Sequence, residues 1–118
     1  MDFQDIMREM AANVALLVAA ETTARRGTPT ALSAALSSGA SQELAAAKAD
    51  RKYFSFQNPS ANANAMWVNL RGATAVKDHT AVEVQPGQGF TMDASSFVTV
   101  TAIHVIGTSG QSFYAVEA

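Results

Sequence analysis

The sequence has no cysteine, so disulfides and thiolate-held metals are excluded, and an oxidising compartment has left no signature in it. Histidine is almost as scarce. His79 and His104 are the only two, with no His-x3-His spacing and no nearby pair of carboxylates of the kind that holds zinc or iron, so no metal or other cofactor is expected. Positive charge is short as well: eight Lys and Arg stand against ten Asp and Glu, for a net charge of −2. That leaves no excess to neutralise phosphates, and nucleic acid is not an expected partner. Charge of either sign is thin, at 15% of residues against about 25% in an ordinary soluble domain. A surface of this kind suits a protein packed against neighbours.

Long apolar runs are missing too. Residues 11–20 form the richest stretch, but Asn13 interrupts it and Glu9 and Glu21 bound it. It is about half of the ~20 residues a bilayer span needs, and no membrane partner is expected. Val18-Ala19-Ala20 fits a small-residue cleavage rule, yet Asp2, Asp5 and Glu9 outweigh Arg8 where a leader's positive region belongs, so none is expected to be removed.

What is present divides the chain into an arm and a body. Phe3, Ile6, Met7, Met10, Val14, Leu17 and Val18 recur at steps of three and four, which places them on one stripe of a helix. Asp2 is the expected N-cap and Asp5 lies in the first turn, while Arg25 and Arg26 precede Gly27 at the end where the dipole favours cations. A helix over 3–26 would be about 36 Å long, longer than the expected width of the body. The seven stripe residues are therefore the candidate assembly interface of an N-terminal helical arm (1–27); folding back on its own domain is the alternative.

Residues 28–42 turn to Thr, Ser, Ala and Gly, with Pro29 barring helix continuation, and are expected as a linker or an extended arm able to pair with a neighbour's sheet edge. From 43 to 118 the period becomes two, in short segments separated by turn residues. About seven strands are expected, over 43–47, 52–57, 65–70, 81–85, 89–92, 98–106 and 112–116. Asn58-Pro59-Ser60 must turn. Pro86-Gly87 fits the two central positions of a type II turn, which predicts a hairpin of 82–85 with 89–92. Residues 107–110 are expected to link the last two strands. The fold class is thus mainly β, a meandering antiparallel sandwich or small barrel with a helical arm. Tyr53, Phe54, Phe56, Trp67, Val68, Leu70, Val84, Phe90, Val105, Ile106 and Tyr114 are its candidate core residues, some of which alternation must turn outward.

Three stretches in this order, Arg51 to Ser60 (RKYFSFQNPS), Trp67 to Gly72 (WVNLRG) and Val84 to Phe90 (VQPGQGF), are similar to a family of small virion proteins of tailed bacteriophages. The resemblance covers roughly 43–117 and leaves out the first 42 residues. It implies a sandwich that serves as a capsid decoration or cement protein. A tail or head-fibre appendage or adaptor is the second form. The implied partners are sister copies, a trimer above all, and the major capsid protein or another virion structural protein. The implied location is the virion, assembled in the host cytoplasm.

None of these stretches is catalytic, and no enzyme is expected. Ser95 or Ser96, His104 and Asp93 make a triad on paper, without the G-x-S-x-G elbow or any other supporting motif. After Lys77 there is no Lys or Arg, and Asp78, Glu83, Asp93 and Glu117 leave that half acidic. Lys48, Arg51 and Lys52, with Arg71 added, are the candidate charge contacts between copies or with a shell. A rival reading makes the body a binding module for a host-surface carbohydrate or receptor. Tyr53, Trp67, Tyr114, Asn62, Asn64 and Asn69 would be its contacts.

Overall fold

The computed structural model describes residues 2–25, 28–93 and 95–118; the side chains of 15–25 lie outside the described residues. The single described helix, α1, runs Phe3–Arg25. Asp2 caps it as expected: its Oδ1 accepts the Asp5 backbone N–H at 2.9 Å, and Asp5 Oδ2 accepts the Asp2 N–H at 3.4 Å. This reciprocal pair satisfies donors that the first turn leaves without intrahelical partners.

Among the described residues nine strands follow: β1 (Thr30–Ala31), β2 (Ala34–Ala35), β3 (Gln42–Ala45), β4 (Phe54–Gln57), β5 (Met66–Asn69), β6 (Val82–Val84), β7 (Gly89–Met92), β8 (Ile103–Ile106) and β9 (Ser112–Glu117). They form two antiparallel sheets, β1-β9-β4-β7 with β2 also on β9, and β3-β8-β5-β6. The expected mainly β sandwich with its helical arm is therefore present, and no barrel is closed.

The core lies between the sheets because period-two alternation sends every second side chain inward. The first sheet contributes Phe54, Phe56, Met92, Phe113 and Ala115, and the second Leu44, Met66, Val68, Val84, Ile103 and Val105. Phe56 lies at the centre of the aromatic cluster, 5.9 Å from Phe90 and 5.8 Å from Phe113 between ring centroids. Phe54, Phe56, Val68, Val84 and Val105 were expected here, whereas Tyr114 points outward from β9.

The connections differ from the expected meander. The Pro86-Gly87 turn forms, with Gly87 at φ +85° and the Gln88 N–H donating to Gln85 O. Yet β6 pairs with β5 and β7 pairs with β4, so the turn carries the chain from one sheet to the other and makes no hairpin. Residues 107–110 likewise join β8 to β9 across the sandwich. The physical reason is that a tight turn fixes a reversal of direction, while the burial of both inner faces decides which strands pair. Gly89 shows the constraint locally, since a Cβ there would come within 2.5 Å of Phe56 O.

Within residues 28–42, expected as a linker or extended arm, β1 and β2 edge the molecule's own first sheet, and Gln42 opens β3 of the second. Leu32 and Leu36 donate their N–H groups to Ala115 O and Gln111 O, both at 2.8 Å, and Leu36 is buried in the core. The expected strand over 98–106 shortens to β8, Ile103–Ile106, and the carbonyls of Thr99 and Thr101 before it accept from the Arg51 side chain.

Candidate functional site

The arm presents an unusual surface. Phe3, Ile6, Met7, Met10 and Val14 are 74%, 43%, 49%, 56% and 60% exposed. They lie along one stripe of α1, and none of the described residues covers them. Leu17 and Val18, the remaining stripe residues, lie among the side chains outside the described residues. Contiguous apolar surface of this kind costs free energy in water and marks an interaction site.

The basic cluster is not one surface. Arg51 is turned inward, its side chain fully buried. Its Nε donates to Glu117 Oε2 at 3.0 Å, one terminal nitrogen donates to Thr99 O at 2.7 Å and Thr101 O at 2.9 Å, and the other donates to Ala46 O at 2.7 Å. The guanidinium thus clasps the ends of β3, β8 and β9 together. Only a planar fork of donors reaches acceptors in so many directions. Arg51, expected as a charge contact between copies, spends its charge inside the fold. Lys48, Lys52 and Arg71 stay toward solvent, with Lys48 pairing Asp50 at 3.3 Å. The Lys48 hydrogen bond and charge hold the Asp50 carboxyl below its ordinary value.

The asparagines proposed as receptor contacts are mostly structural. Asn69 is buried, its Oδ1 accepting the N–H groups of Arg71 and Ala73. Asn62 donates to Asn58 Oδ1 and to Ser112 O, each at 2.7 Å, and Asn58 is itself fully buried, donating to the carbonyls of Asn64 and Val84. Of the three aromatics, Tyr53 and Trp67 are half-buried and Lys77 Nζ sits 5.4 Å from the Trp67 ring centroid. Tyr114 is the exposed one, at 49%.

The residues of the paper triad are used locally. Ser95 Oγ donates to Asp93 Oδ1 at 2.6 Å within one turn, and this bond holds the Asp93 carboxyl low. Thr80 does the same for Asp78. His104 stands on β8 opposite Glu43 and Asn69, its Nδ1 buried with no hydrogen-bond partner among the described residues. Among the described residues, no group of three or more His, Asp or Glu is placed to hold a metal ion, and no helix is long and apolar enough to cross a membrane.

Comparison with protein-family models, with curated proteins and with solved structures returned no match. Sequence reasoning missed the inward turn of Arg51, for which alternation gives no signal: Phe54 and Phe56 face inward on β4, so the same parity carried back would turn position 51 outward. It also missed Ser55, Gln57 and Thr91, which share the outer face of β4 and β7 with Tyr114 and carry no motif.

Proposed function

We propose that this protein is a structural subunit of a bacteriophage virion, a capsid decoration or cement protein that assembles through its helical arm with sister copies and seats on the capsid shell. The observation that carries the reading is the uncovered stripe Phe3, Ile6, Met7, Met10 and Val14 on a capped helix. A greasy helix projecting residues this exposed needs an occupant, and copies of the same chain supply an identical stripe. The low charge of the chain supports the same conclusion, since packed surfaces are depleted in Lys, Glu and Asp. Repetition over a symmetric shell then turns modest contacts into firm attachment. The body's part is to be a rigid plug, held by its core and by Arg51.

The test is co-sedimentation with capsids assembled from the major capsid protein of a tailed bacteriophage whose genome encodes this chain. The full-length protein is expected to travel with the capsids, and a variant with Met7→Glu and Met10→Glu to remain at the top of the gradient. Loss of binding is expected to be at least tenfold, because burying an ionised carboxylate without a partner is strongly unfavourable. Equal co-sedimentation of both proteins would remove the arm from attachment, and no co-sedimentation of the full-length chain would refute the decoration role.

A further inference from the structure

The outer face of the first sheet carries a feature that assembly through the arm does not use. β4 is an inner strand there, flanked by β9 and β7. Register places Tyr114, Gln57 and Gly89 in one row across the three strands, and Val116, Ser55 and Thr91 in the next. An open cleft of about 310 Å³ lies on this face, lined by Tyr114, Gln57, Ser55, Thr91 and Gly89 together with parts of Phe56 and Phe90. The size is at the lower end of the roughly 300–1,000 Å³ of small-molecule sites.

Three properties define what fits. The first is neutrality: among the described residues lining the cleft there is no Lys, Arg, His, Asp or Glu. A phosphate or carboxylate would enter without a countercharge. The second is a half-exposed aromatic ring, Tyr114, standing on a strand whose inward neighbours Phe113 and Ala115 are locked in the core. The sheet holds its backbone in place, so stacking requires ordering of the ring's own torsions alone. The third is a set of groups that each donate and accept. The Gln57 amide is exposed, and Ser55 Oγ and Thr91 Oγ1 lie 3.2 Å apart, sharing one hydrogen bond and leaving further capacity on both. An apolar ligand would strip water from these groups and give nothing back. Gly89 adds no side chain to the row, and the approach of Phe56 O leaves no room for one.

A sugar ring meets all three conditions: it is uncharged, one of its faces is a patch of C–H groups suited to an aromatic ring, and its hydroxyls donate and accept in turn. We propose that this cleft is a binding site for a neutral saccharide, with one pyranose ring against Tyr114 and its hydroxyls on Gln57, Ser55 and Thr91. The site is independent of the arm, and its failure would leave arm-mediated assembly standing.

The experiment is a titration of the ¹⁵N-labelled full-length chain with methyl β-glucopyranoside, methyl β-galactopyranoside and methyl N-acetyl-β-glucosaminide, carried well beyond the millimolar range and followed by amide shifts. At least one glycoside is expected to give saturable shifts centred on Gln57, Gly89 and Thr91. Tyr114→Ala is expected to weaken that binding about tenfold, as loss of a stacked aromatic face implies. Gln57→Ala, a change at an exposed side chain, supplies a second variant and is expected to weaken it several-fold. Retained amide dispersion establishes that each variant is folded. No saturable shift with any of the three glycosides, or unchanged binding by both variants, overturns the proposal.

Discussion

Arg51→Ala is expected to lower the free energy of unfolding by about 3–5 kcal/mol, the range for breaking a buried ion pair by removing one partner. The side chain of Arg51 is wholly buried, and Glu117, its acid partner, is only 14% exposed. Without the guanidinium, the Glu117 carboxylate and the carbonyls of Ala46, Thr99 and Thr101 would each lose a charge-assisted donor. Each buried acceptor left unpaired adds its own desolvation cost. Arg51→Lys is expected to recover little of the loss, because one ammonium cannot reach acceptors spread over three strand ends. Urea unfolding followed by Trp67 fluorescence measures both variants. A destabilisation below about 1 kcal/mol, the level of an exposed ion pair, would mean that the clasp is not the structural centre described above.

Phe56→Ala is expected to cost a similar amount, about 3–5 kcal/mol, by a different mechanism. Phe56 is 1% exposed, lies on an inner strand of the first sheet and packs between the rings of Phe90 and Phe113. Removing it opens a cavity between two sheets whose backbones are held by hydrogen bonds on both sides, so collapse is restricted. Phe56→Leu keeps much of the volume and is expected to cost distinctly less. The same urea titration, with an unchanged slope against denaturant, separates lost stability from a changed unfolded state.

The strands of the body were legible in the sequence because alternation and turn residues mark them directly. Each of the seven expected segments overlaps an observed strand, from β3 to β9, with β3 starting one residue early and β9 ending one residue late. Their pairing was not legible. Pro86-Gly87 specifies a turn type, and a turn of that type serves equally to reverse a hairpin or to pass between layers. Only the need of both inner faces for cover selects the second use. β1 and β2 escaped notice because two-residue strands made of Thr and Ala carry no alternation; their attachment depends on β9, more than 70 residues away in the chain. Arg51 was read as a surface charge because charge is rarely buried, and its three backbone acceptors have no side-chain signature at all. The arm was the clearest element: stripe, N-cap and position were all written in Asp2, Asp5 and the spacing of Phe3 to Val14. The cleft beside Tyr114 was the least visible, since it arises from register across three strands that are distant in sequence.

Sedimentation equilibrium of the intact chain beside a variant carrying Met7→Glu, Met10→Glu and Val14→Glu tests the arm most directly. All three positions are exposed in the single chain, so the substitutions leave its fold intact. The intact chain is expected to sediment as an oligomer, a trimer at about three times the 12.4 kDa of one copy, and the variant as a folded monomer. A monomeric intact chain across the accessible concentration range, or an oligomer of the same mass in the variant, would contradict assembly through the arm.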